Sequence, residues 1–249
     1  MARFKTANEI LSQVGSEVGI GSTVDAFAEA DIAWTQMIDL LNSCGYELLE
    51  ELAWQGLVRE VNFITQAGDT GKYEFPDDYA YMIDQTGWEQ AGNVPLFGPL
   101  SAQMWTYLIG RDLVSYTIYA SFRQVERQFW LFPQPPAEGL QIAYEYISRN
   151  WVIDSAVAPN PDVTYDDKVK TSADTVLYEP RLIERCLKYR FLQARGFDTA
   201  SAESEYLRAL QSWGGKDKGA PILNAGRYGY RYPYLDGYRN TPDSNFGTP

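Results

Sequence analysis

A chain of 249 residues has room for one large domain or two small ones. Its 45% hydrophobic content can fill a core, while a formal charge of −12 excludes the basic footprint of a general nucleic-acid binder. There is no histidine. That removes Ser-His-Asp and Cys-His catalysis, histidine-based zinc sites and the commonest general base, and leaves only carboxylate, lysine or tyrosine chemistry. No apolar run approaches the roughly 20 residues of a membrane span. The start, Met1-Ala2-Arg3-Phe4-Lys5, has no apolar signal core behind it, so an intracellular product is expected. Cys44 and Cys186 fall in helical patterns and read as two buried thiols, since a disulfide needs an oxidising compartment.

In chain order, Thr6 and Glu9 have the spacing of a capping box, and Ile10, Leu11, Val14 and Val18 follow at helical period. Gly19-Ile20-Gly21 ends that helix. Ser22 or Thr23 is expected to cap a second one, with the stripe Phe27, Ala30, Trp34, Met37, Ile38 and Leu41. Gly45 predicts a break or bend, followed by a shorter helix ending around Trp54. From Leu57 the period becomes two: Val61 and Phe63 face one way, Asn62 and Ile64 the other. Gly68-Asp69-Thr70-Gly71 predicts a turn, with Lys72 to Phe75 returning as the second strand of a hairpin. Pro76 should stop that strand, and Ser101 should cap a helix carrying Met104, Trp105 and Leu108 and ending near Gly110. Strand candidates follow at 115–125, 129–132 and 140–150, rich in β-branched and aromatic residues. Residues 155–172 read as a long loop, or an ordered hairpin if packed on a neighbour. Glu179-Pro180 starts a helix with Leu182, Ile183, Cys186, Leu187 and Phe191 on its apolar face. Gly196 closes it, and Asp198 caps the last helix, with Ala202, Tyr206, Leu210 and Trp213 as its stripe.

These elements predict an α+β chain. A helical bundle forms from N- and C-terminal helical hairpins (1–56 and 179–213), an antiparallel β-sandwich or barrel is inserted between them (57–178), and an extended arm follows (214–249). The arm is rich in Gly, Pro and Tyr, and carries five Lys/Arg against three Asp. Tyr228, Tyr230, Tyr232, Tyr234 and Tyr238, with Arg227, Arg231 and Arg239 between them, are residue types enriched at interface hot spots. The arm is therefore expected to be extended and to order against another subunit.

The chemistry-bearing residues also have plain structural readings. Asp77-Asp78 and Asp166-Asp167 are adjacent carboxylates, which in a strand point to opposite faces, so neither pair makes an acid–base site. The glycines at 15, 19 and 21 do not sit in a strand-to-helix phosphate loop and read as helix terminators. Arg181, Arg185 and Lys188 share one helix face by their spacing, flanked by Arg190 and Arg195. That stripe reads as a solvated face or a partner for the chain's own acidic surface, with DNA in a lumen or an acidic neighbouring subunit as the functional alternatives. The aromatics, 14% of the chain, mostly sit at core-compatible positions.

The stretch from Phe75 to Trp105 organises the remainder. It runs Phe75-Pro76-Asp77-Asp78-Tyr79, then Asp84 to Trp88, then Pro95-Leu96-Phe97-Gly98-Pro99-Leu100-Ser101 leading to Trp105. With Phe122-Arg123, Leu131-Phe132-Pro133, Tyr144 to Trp151, Leu187 to Phe191 and Arg195-Gly196, it resembles the head-to-tail adaptors of short-tailed bacteriophages, the tail tubular protein A type. The resemblance covers roughly residues 41–213, and Phe75 stands where that family would have Leu.

The resemblance implies a structural virion protein assembled in the bacterial host. It implies a closed ring of 12 copies between the portal and the tail nozzle, continuing the DNA channel without catalytic residues, cofactor, metal or membrane contact. The arm would then dock on the portal, with a neighbouring adaptor or the nozzle as alternatives. The competing reading is a carbohydrate-binding or cell-wall-degrading tail module that uses aromatics and a carboxylate pair. Glycan binding or peptidoglycan turnover separates the two.

Overall fold

The structure is a computed structural model that describes residues 4–110, 121–155 and 164–217. Helix α1 (Ala7–Glu17) starts with the expected capping box: Thr6 Oγ1 accepts from the Glu9 amide, and the Glu9 carboxylate accepts from the Thr6 amide. Helix α2 (Ile32–Glu51) departs from the sequence expectation twice. It begins at Ile32, capped by Asp31, because Thr23 and Asp25 spend their side-chain oxygens on the amides of Asp25 and Phe27 and hold residues 23–27 in turns. It also runs unbroken through Gly45. A Cβ there would stand 2.2 Å from the ring of Trp151, so this glycine provides room for close packing and introduces no break.

Helices α4 (Pro180–Arg195) and α5 (Ala200–Asp217) complete the helical layer. Gly196, at φ 73°, closes α4, and Asp198 accepts from the Ala200 amide at 3.1 Å at the start of α5. Helix α5 continues past Gly214, which packs against Leu52, to Asp217. The four helices share one core: Ile10 and Leu11, Met37 and Leu41, Leu182, Ile183 and Leu187, and Tyr206. Trp151, Val176 and Tyr178 enter it from the β side.

Among the described residues the strands form three antiparallel sheets. β1 (Val58–Ile64), β3 (Tyr79–Met82), β4 (Trp88–Glu89), β5 (Val94–Pro95) and β8 (Gln141–Ser148) make the largest, with β8 paired to β1, β3 and β4. β2 (Lys72–Glu74), β6 (Ser121–Val125) and β7 (Gln128–Phe132) make the second. β9 (Val152–Ile153), β10 (Tyr165–Asp166) and β11 (Thr175–Val176) make the third.

The expected β1–β2 hairpin does not form: β2 pairs with β7 and β1 with β8. Thr65, just past β1, is tied to the loop before β8 by its amide to Leu140, its hydroxyl to the Ala137 carbonyl, and its carbonyl to the Gly139 amide. The chain therefore leaves β1 bound to β8 and returns in the other sheet. The stretch read as a long loop also contains a strand, β10, which pairs with β9 of its own chain.

The first two sheets enclose a second core of stacked rings. Phe122 and Phe129 lie 4.9 Å apart and Phe129 and Tyr144 5.1 Å, with Phe75 edge-on to Phe129 and Tyr144. β7 alternates as a strand must. Phe129 and Leu131 point into this core, while Trp130 and Phe132 point to the other face and meet helix α3 (Ala102–Gly110). Helix α3 thus packs on the outer face of the second sheet, while the helical core meets the first sheet at Val58, Ala80 and Ile147. Among the described residues no helix is long and apolar enough to cross a membrane.

Candidate functional site

Ser101 caps α3 as its sequence predicts, accepting from the Met104 amide at 3.2 Å. Trp105 anchors the helix. It is 3% exposed and packs among Leu100, Phe132 and Trp130, with ring centroids 6.0 Å from Phe132 and 6.1 Å from Trp130. Other apolar side chains of the helix are exposed: Met104 is 55% exposed and Ile109 53%, beside Phe97 at 62%. A hollow of about 430 Å³ lies beside the helix; among the described residues its lining includes Phe97, Leu100, Gln103, Met104, Leu108 and Ser121 and no charged side chain. An uncharged, exposed apolar concavity on a protein of charge −12 is the surface type that marks interaction sites. Sequence reading placed large side chains on this helix but missed the exposed face. The available signal was Met104-Trp105-Thr106-Tyr107-Leu108-Ile109, which is apolar on nearly every side, whereas a helix packed on one sheet can bury only a stripe.

The basic stripe has a different environment. Arg181 and Arg185 line a groove of about 710 Å³ between α1 and α4, together with Lys5, Glu9, Glu17, Glu179, Glu184 and Glu205. Lys188 pairs with Glu17 at 3.0 Å, Lys5 with Glu184 at 2.6 Å, and Arg185 donates to the Glu205 carbonyl. Burial raises the Glu17 carboxyl, but the bonds from Gln13 and Lys188 outweigh it and hold the group below its ordinary value. The cations are thus interleaved with the chain's own carboxylates and form no basic strip.

Nearby, Arg190 grips Glu47 through Nε and Nη2 at 2.8 and 2.6 Å, and the Tyr206 hydroxyl donates to the other carboxylate oxygen at 3.0 Å. This cluster ties α2, α4 and α5 together. Cys44 and Cys186 are free and buried beside it. The Cys186 thiol and burial together push the Cys44 thiol well up, so it stays protonated.

Asp77 and Asp78 separate as expected, whereas Asp166 and Asp167 stay in contact with each other. Asp77 is exposed and meets Arg127, while Asp78 turns inward and accepts from Tyr146 and Ser148 at 2.9 and 2.7 Å. Asp166 pairs with Lys170 and Asp167 with Arg149. Asp174 is buried and accepts from the Lys170, Thr171 and Ser155 amides and from the Thr171 and Ser155 hydroxyls, which ties Ser155 to residues 170–174. Burial alone would raise its carboxyl, yet these bonds hold it below the ordinary range. Among the described residues no three Cys, Asp or Glu side chains converge to hold a metal ion.

The model of the SU10 adaptor protein family matches residues 5–225, spanning both cores, α3 and the charged groove. The chain belongs to the SU10 adaptor protein family. It is a structural adaptor of the phage head–tail junction, with the virion as its place and other head–tail proteins as its associates. No individual curated protein matches it. The family match takes in Arg181, Arg185 and Lys188, whereas Arg227, Tyr228, Tyr230, Arg231, Tyr232, Tyr234, Tyr238 and Arg239 lie beyond it and outside the described residues.

Proposed function

We propose that this adaptor is of the tail tubular protein A kind: a closed ring, of 12 copies by that resemblance, that joins the portal to the tail nozzle and continues the DNA channel. The observation that carries the reading is the open apolar face of α3, present on the same subunit as a groove of interleaved charges. A cyclic head-to-tail ring needs two unlike, complementary patches per subunit. The two cores supply rigid supports for them: a helical part built from 1–56 and 179–213, and a β part spanning 57–178.

The carboxylates in the groove suit a conduit. They keep Arg181, Arg185 and Lys188 from gripping phosphates and favour contact with a neighbouring subunit. No residue is assigned a catalytic role. The arm after Asp217, shorter than the expected 214–249 because α5 runs on through Gly214, serves as the link to a second subunit.

Mass photometry and negative-stain microscopy of the purified chain test the proposal. Closed rings are expected in low salt, with weak and salt-sensitive binding to duplex DNA. A chain that stays monomeric at every concentration, or binds duplex DNA with sub-micromolar affinity at physiological salt, would overturn it.

A further inference from the structure

We infer that the outer face of the first sheet, around Glu60, Glu145 and Trp88, docks an arginine-bearing extended segment of another protein of the head–tail junction. The inference goes beyond the ring reading and does not need it. Alternate residues of a strand share a face, as do residues paired across strands. Val58 and Ile147 therefore share a face with Glu60 and Glu145, with Asn62 and Ala143, and, through Ala143, with Trp88. The helical core covers this face at Val58 and Ile147. Beyond them the same face is open: Glu60, Asn62 and Glu145 are exposed, and Ile64 is 55% exposed.

Charge identifies the occupant. Glu60 and Glu145 stand directly opposite each other. Side chains so placed have Cβ atoms roughly 4.5–5.5 Å apart, and like charges there destabilise a sheet. Among the described residues neither carboxylate has a hydrogen bond or an ion pair. Elsewhere carboxylates meet cations of their own chain, as Glu17 meets Lys188, Asp77 meets Arg127 and Asp167 meets Arg149. A cation set between Glu60 and Glu145 replaces their repulsion with two attractions.

The surroundings select a guanidinium. A hollow of about 300 Å³ lies beside the two carboxylates, and its described lining adds Thr86, Trp88, Gln90 and Asn93 but no lysine or arginine. That volume is at the small end for ligand pockets and suits one long side chain. Its walls are held: the Thr86 hydroxyl accepts from the Glu145 amide at 3.1 Å, and the Asn62 side-chain amide donates to Gln90 Oε1 at 3.3 Å. A planar guanidinium can fork between two carboxylates and stack on an indole, whereas an ammonium is a point charge. Ile64, on the same face four residues along β1, gives an apolar footing to the rest of an extended segment.

The test uses the full-length chain and a biotinylated peptide, Arg-Ser-Ser-Ser-Val, carrying a photo-reactive benzophenone. Irradiation should label the segment around Trp88. Glu60→Gln with Glu145→Gln should lower that labelling about tenfold without lowering the urea midpoint. Glu50→Gln with Glu51→Gln removes the same charge from exposed positions on α2 and should leave labelling unchanged. Probes with lysine or citrulline in place of arginine should label more weakly. In purified particles, Trp88 should be less reactive to hydroxyl radicals than in the purified chain. Equal labelling of the two double variants, equal labelling by the three probes, or equal Trp88 reactivity in chain and particle would overturn the inference. None of these readouts requires a closed ring, so failure here is distinct from failure of the ring reading.

Discussion

The two ends of the molecule treat their surfaces in opposite ways. On the helical side several cations pair with a carboxylate of their own chain: Lys188 with Glu17, Lys5 with Glu184 and Arg190 with Glu47. On the outer face of the second sheet, α3 has Trp105 as its single buried residue and leaves Met104 and Ile109 to solvent. Paired surface charges contribute little net energy and discourage non-specific partners. Uncovered apolar side chains contribute nothing until something covers them. In the proposed assembly the helical half is the support and the α3 side the part with binding energy in reserve.

The largest expected effect is on the support. Gly45→Ala drives a methyl into Trp151 and should cost about 3 kcal/mol or more, or prevent folding. Gly215→Ala, which meets no atom within 4 Å, should instead gain up to about 1 kcal/mol in urea unfolding. Equal effects would mean that Gly45 is not a packing glycine.

Next comes Asp174. Its carboxyl is held low in the folded state, so its contribution is full above about pH 4 and fades as pH falls through the depressed value. Asp174→Asn should therefore lose roughly 2–3 kcal/mol near neutral pH, with the deficit closing in acid. A deficit that stays constant with pH would show that the carboxylate charge is irrelevant. Glu47→Ala strands Arg190 and the Tyr206 hydroxyl in a half-buried site and should cost about 2 kcal/mol by the same assay.

How far the sequence reached depends on whether a signal was local. The capping box at Thr6, the Pro180 start, the Gly196 stop and the core faces of α1 and α4 were all legible, because each is decided within a few residues. The β1–β2 hairpin was not: the turn at Gly68–Gly71 is real, but strand pairing was settled by Thr65 bonding to a loop more than seventy residues away. Gly45 misled for a related reason, since its role depends on Trp151, which is remote in sequence. Pairing with the chain's own acids was one of several readings of the basic stripe, and Lys188 follows it in meeting Glu17. The open face of α3 was not, because exposure is a property of the completed packing.

The smallest effects on folding fall on the surface, where the two sides should differ most clearly. Lys188→Ala removes an exposed pair and should shift stability by less than about 0.5 kcal/mol, leaving assembly intact. Met104→Glu should be as mild for folding, yet should impair ring formation. If the two variants assembled equally well, the α3 face would hold no special place.

The most direct measurement for the central claim is electron cryo-microscopy of the head–tail junction in the intact particle. The account predicts a closed ring of this chain between portal and tail nozzle, with the α3 face covered at the contact between copies. Isolated copies, a location away from the junction, or an α3 face left open to solvent in the finished particle would contradict it.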